Sequence, residues 1–135
     1  MNLQYALDEL SRNVTNIEGY FVYVLKDYER AVQDLPIDEF QIYDIEIEHE
    51  VSEITLLTNE KSNLPENNKS LTAVELLHKL TKLMPKHKDY ILFSGSAKVE
   101  LADDYWARHD IPLIAMGFDH ENKRIAFVQE GNKNS

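Results

Sequence analysis

The stretch YDIEIEHEV, residues 43–51, alternates Tyr43, Ile45, Ile47, His49 and Val51 with Asp44, Glu46, Glu48 and Glu50. Successive side chains of a strand point to opposite faces, so this period predicts a strand over 40–51 with one apolar face and one wet face. His49 falls on the inner phase and reads as a hydrogen-bonded, partly buried side chain. The apolar phase then switches to Ile54 and Leu56, which puts a turn or bulge near Ser52 and Glu53 and a second strand beyond it.

Outward from this hairpin the chain is punctuated clearly. Leu3, Ala6, Leu7, Leu10 and Val14 keep helical spacing and predict an amphipathic helix over 2–14, with Asn2 as cap. Tyr20 to Leu25 is aromatic and β-branched without polar alternation, as in a strand covered on both faces. Phe21, Leu25, Tyr28, Val32 and Leu35 also keep a helical period, so residues 17–35 have two readings. We take strand 20–25 followed by a short helix 28–34 that Pro36 stops.

Residues 59–70 are polar, contain Pro65 and predict a mobile loop. Thr72 and Glu75 have capping-box spacing ahead of Leu76, Leu77, Leu80, Leu83 and Met84, and Pro85 ends this helix, 73–84. Strand 90–93 follows, then Ser94-Gly95-Ser96 and good helix formers over 97–108. Strand 112–118 and a hairpin return over 124–129 complete the pattern, with 131–135 as a frayed tail. The expected fold is a single α+β domain over 1–135. It has a mixed, mostly antiparallel sheet of five or six strands, one β-α-β crossover at 90–118, and three or four packed helices. No internal repeat stands out.

A chain of 135 residues is long enough to bury a core without staples. It has no cysteine, which excludes disulfides, thiolate metal sites and a Cys nucleophile. The start Met1-Asn2-Leu3-Gln4 lacks the basic and apolar regions of a secretory signal, and no apolar run approaches the roughly 20 residues of a membrane span. The expected location is the cytoplasm.

The net charge of −10 is concentrated. Residues 27–60 hold eleven acids and only Arg30 as a base, so the rest of the chain is balanced. On one strand face Asp44, Glu46, Glu48 and Glu50 would stand with successive members about 7 Å apart, each step within a Debye length at physiological salt. Such a stripe repels itself and attracts cations. Lys79, Lys82, Lys86 and Lys88, with His78 and His87, gather at and beyond the end of helix 73–84, where they complement its dipole.

Chemical motifs are sparse. His49-Glu50 has no second His four residues on, GxGxxG and P-loop patterns are absent, and so is a GxSxG elbow. No catalytic residue, cofactor-binding residue or metal ligand is assigned. The leading expectation is a non-catalytic module that docks a basic protein partner through Asp38, Glu39, Tyr43, Asp44, Glu46, Glu48, Glu50 and Glu53. In size, acidity and lack of cysteine the chain is similar to bacterial immunity proteins. That likeness is one of character, with no family motif matched, and the most concrete form of the expectation is inhibition of a basic, nuclease-like toxin, whose cationic cleft an acidic stripe would occlude in place of phosphate. Neither nucleic acid nor a membrane suits a chain of this charge. The alternatives are a small enzyme or anion site at the Ser94-Gly95-Ser96 turn with His109, and a homo-oligomer that pairs the stripe with its own lysines.

Overall fold

The first N–H groups of a helix have no partner within it, and both helices here begin on a side chain that covers one. Asn2 accepts from the Tyr5 N–H at 2.8 Å and caps α1, Leu3–Asn13. Thr72 accepts from the Glu75 N–H at 3.2 Å, while Glu75 accepts from the Thr72 N–H at 3.1 Å, a reciprocal box opening α2, Ala73–Thr81. The structure, a computed structural model, describes residues 1–25, 39–58, 70–95, 99–102, 105–107 and 110–130. The expected helix 28–34, nearly all of the loop 59–70, and the tail 131–135 lie outside the described residues.

The strands are β1 Phe21–Leu25, β2 Glu39–Glu48, β3 Glu53–Thr58, β4 Ile91–Gly95, β5 Val99–Ala102, β6 Tyr105–Ala107, β7 Ile111–Asp119 and β8 Arg124–Gln129. Six of them close a barrel in the order β1-β2-β3-β4-β7-β8, and β5 pairs with β6 alone. Leu3, Ala6 and Leu10 of α1 and Ala73, Leu76 and Leu80 of α2 share one core with the inward residues of the barrel, among them Val22, Ile42, Ile54, Leu92, Leu113 and Phe127.

Three expectations are corrected. Among the described residues there are two helices rather than three or four. The described part of 97–108 is the β5–β6 hairpin, where the β propensity of Val99, Tyr105 and Trp106 and the pairing Val99 with Ala107 override helix propensity. The parallel crossover is also misplaced: β4 and β7 are antiparallel, whereas β3 and β4, flanking α2, are parallel, and β8 closes the barrel parallel to β1.

The sequence conceals a duplication that the fold makes plain. The order α1-β1-β2-β3 recurs as α2-β4-β7-β8, and three steps around the ring carry each strand to its counterpart, the relation of a twofold axis along the barrel. Helix and first strand repeat after 70 residues. Leu3, Ala6 and Leu10 correspond to Ala73, Leu76 and Leu80, and Asn2 bridges Ile91 as Thr72 bridges Phe21. The hairpins repeat after 71. Ile42 pairs with Thr58 and Leu113 with Gln129, each followed by a bulge at Tyr43 or Ile114. Ser52 and Lys123 take the left-handed conformation in the two turns, with φ 56° and 53°. Backbone bonds follow suit: Leu71 N–H to Ile42 O matches Met1 N to Leu113 O, and Ala73 N–H to Tyr20 O matches Leu3 N–H to Tyr90 O.

Candidate functional site

Strand register decides where the acids of β2 go. Ile45 and Ile47 lie opposite Leu56 and Ile54, which are fully buried, so Glu46 and Glu48 take the outer face. There Glu46 is level with Thr55, and Glu48 is directly opposite Glu53. Like charges so placed destabilise a sheet. Glu50 is exposed in the turn that follows. Asp44, beside the bulge, accepts from the Ile45 N–H at 2.8 Å and meets Lys79 of α2 at 3.4 Å. One lysine of the basic cluster thus does reach the stripe, within a single chain. Tyr43 is the half-buried bulge residue, Glu39 starts β2 opposite Leu25, and Asp38 lies outside the described residues.

The structure therefore gathers Glu46, Glu48, Glu50 and Glu53 at one hairpin and draws Asp44 toward α2. Thr55 is completely buried on the same outer face, and its hydroxyl donates to Asp110 at 3.3 Å. No sequence pattern linked these two.

The second repeat supplies an internal comparison. The counterparts of Asp44, Glu46, Glu48 and Glu53 are Ala115, Gly117, Asp119 and Arg124. Residues 39–58 carry six acids and no Lys or Arg, while 110–129 carry three acids and two bases. Where Glu48 faces Glu53, Asp119 faces Arg124. The Asp119 carboxyl is held below the usual carboxylate range, first by the Asn122 side-chain amide, then by backbone N–H donors, with Arg124 adding to them. Arg124 itself lies over the Tyr23 ring at 4.2 Å.

Histidine placement departs from expectation. His49 is exposed in the β2–β3 turn, not inward, and its Nδ1 lies 3.0 Å from the Tyr90 hydroxyl. His120 makes the matching contact, 2.8 Å, with the Tyr20 hydroxyl. The recurrence of Tyr at 20 and 90 and of His-Glu at 49 and 120 was the signal available in sequence. His109 lies outside the described residues.

Ser94 and Gly95 are not in a strand-to-helix turn. Both are buried in β4, and the Ser94 hydroxyl accepts from the Gln129 side-chain amide at 2.6 Å. Ser96 is outside the described residues. Among those residues no group of three or more His, Asp or Glu is arranged to hold a metal, and no helix is long and apolar enough to cross a membrane. No protein-family model, no curated protein and no solved structure gave a match to the chain.

Proposed function

We propose that this protein is a non-catalytic binding module whose acidic β2–β3 face docks a basic protein partner. Its most concrete form is an immunity-type inhibitor, acting in the cytoplasm on a nuclease-like toxin. The observation that carries the reading is the contrast between the repeats. An identical register at β7–β8 is built with Ala115, Gly117 and Arg124, so that register forms without acids at the places of Asp44, Glu46 and Glu53. A charge concentration that the register does not require, and that sets Glu48 against Glu53, suits a surface used in recognition. A toxin that acts on nucleic acid must present cations to phosphate, and carboxylates at strand spacing compete for them.

The test immobilises three versions of the full chain: wild type, the variant Asp44→Asn, Glu46→Gln, Glu48→Gln, Glu50→Gln, and a control with Asp119→Asn and Glu121→Gln on the other hairpin. Each is exposed to lysate from the source cells, and the affinity of any recovered protein is then measured in purified form. The expected result is a basic protein held by wild type and control, lost by the four-site variant, and inhibited in nucleic-acid cleavage by wild type. Equal affinity of all three versions for that protein overturns the reading, as does recovery of the chain's own copies alone.

A further inference from the structure

The two seams that join the repeats are fastened at equivalent places by unequal means. At the β8–β1 seam the Tyr20 hydroxyl lies 2.8 Å from His120 Nδ1, and Phe118 stacks on that imidazole with ring centroids 6.2 Å apart. At the β3–β4 seam Tyr90 pairs with His49 at 3.0 Å, but a second imidazole joins them. The His87 ring lies 5.1 Å from that of His49 and 4.6 Å from that of Tyr90. The counterpart of His87 is Ile17. Tyr90 N–H donates to the His87 carbonyl as Tyr20 N–H donates to that of Ile17, so the backbone asks for no histidine here.

Two neutral imidazoles pack together without penalty, whereas two imidazolium ions at this distance repel. Partial burial makes a charge on His87 unfavourable, and the positive charges of His49 and Lys86 oppose it further, so its pKa lies below that of a free histidine. Three elements meet at the cluster. The hairpin brings Glu48 and Glu50 on either side of His49, and the segment entering β4 brings Lys86, Lys88 and Asp89. The first turn of α1, bonded to Lys88 and Tyr90, brings Asn2, Leu3, Gln4 and Tyr5, none of which changes charge near neutral pH.

We propose that His49, His87 and Tyr90 form an acid-sensitive latch, which loosens the β3–β4 seam at the acidic hairpin on mild acidification while the β8–β1 seam stays closed. The direction follows from linkage. A histidine whose folded pKa is depressed contributes stability that is fully present above its free value, about 6.5, and is lost as the pH falls toward the folded value. The latch stands whatever the acidic face binds.

Two backbone amides report the seams separately. Ile91 N–H donates to Ser52 O at one, and Phe21 N–H donates to Lys123 O at the other. Amide exchange of the full chain is measured at about pH 7.5 and about pH 5.5, on either side of the free histidine value, and corrected for intrinsic rates. Protection of Ile91 should fall relative to that of Phe21, by up to about tenfold per pH unit crossed. His87→Ile, the residue the other repeat already uses, and His87→Gln should both abolish the difference. Equal changes at Ile91 and Phe21, or a wild-type response retained in either folded variant, overturns the latch.

Discussion

The β2–β3 and β7–β8 hairpins share a bulge, a register and a turn with one left-handed residue, yet residues 39–58 carry six acids and no Lys or Arg while 110–129 mix three acids with two bases. Because the backbone is the same, the shared features mark what the barrel requires, and the unshared ones mark what it leaves free. Inward positions keep apolar character: Ile54 becomes Ile125, Leu56 becomes Phe127, Ile42 becomes Leu113. Outward positions diverge more, for Asp44 becomes Ala115, Glu46 becomes Gly117 and Glu53 becomes Arg124, although His49 and Glu50 recur as His120 and Glu121. This division separates folding from function without any relative to compare, and it can be attacked experimentally at several depths.

The deepest attack is on the helices. Leu10 and Leu80 occupy equivalent buried places in α1 and α2. Leu10→Ala and Leu80→Ala should each cost about 2–5 kcal/mol in urea denaturation, with the two values agreeing to about 1 kcal/mol because the sites collapse alike. A larger disparity breaks the equivalence of the repeats at their cores.

Inside the barrel the repeats differ once in kind. Ser94 and Gln129 form a buried polar pair where the first repeat has Val24 and Thr58. Ser94→Val leaves the Gln129 amide without its acceptor and should cost about 1–3 kcal/mol in the same measurement. Adding Gln129→Thr recreates the first repeat's pair and should recover part of that loss. If it recovers nothing, the two interiors are not interchangeable and the twofold holds for the backbone alone.

These equivalences leave only a faint trace in the sequence, for a physical reason. The barrel conserves burial and register, which many side chains satisfy, so Leu7/Leu77, Leu10/Leu80, Tyr20/Tyr90, His49/His120, Glu50/Glu121 and Ile54/Ile125 are the only identities across residues 1–25 and 39–58. The offset also shifts from 70 to 71 between β1 and β2, which hides even those. What was legible is local: the caps Asn2 and Thr72, the apolar faces of α1 and α2, strand β1, and both hairpins, each written in a period or a turn. What was not legible depends on contacts distant in sequence, such as the parallel closure of Phe21 on Arg124, or on the pairing of Val99–Ala102 with Tyr105–Ala107. The acids of the candidate face were legible as a stripe. Their meaning became arguable only when Ala115, Gly117 and Arg124 appeared at the same places.

The helix caps give the gentlest test of the comparison. Asn2→Ala and Thr72→Ala each remove an acceptor for a first-turn N–H and should cost about 0.5–2 kcal/mol, nearly equally, at neutral pH. The caps part company in acid. An amide caps α1 and has no proton to gain, whereas the α2 box includes Glu75. Its carboxyl is held below the usual range first by the Thr72 N–H and then by the Thr72 hydroxyl. A carboxylate with a lowered folded pKa contributes stability that is present above the unfolded value, about 4.3, and is lost as the pH falls through the folded one. Glu75→Ala should therefore lower the Tm more at about pH 6 than at about pH 3, while the Tm change of Asn2→Ala is the same at both. Equal Tm changes for Glu75→Ala at the two values would mean that the box works as a neutral cap, and that the helices, like the backbones of the hairpins, are alike in their chemistry as well as their place.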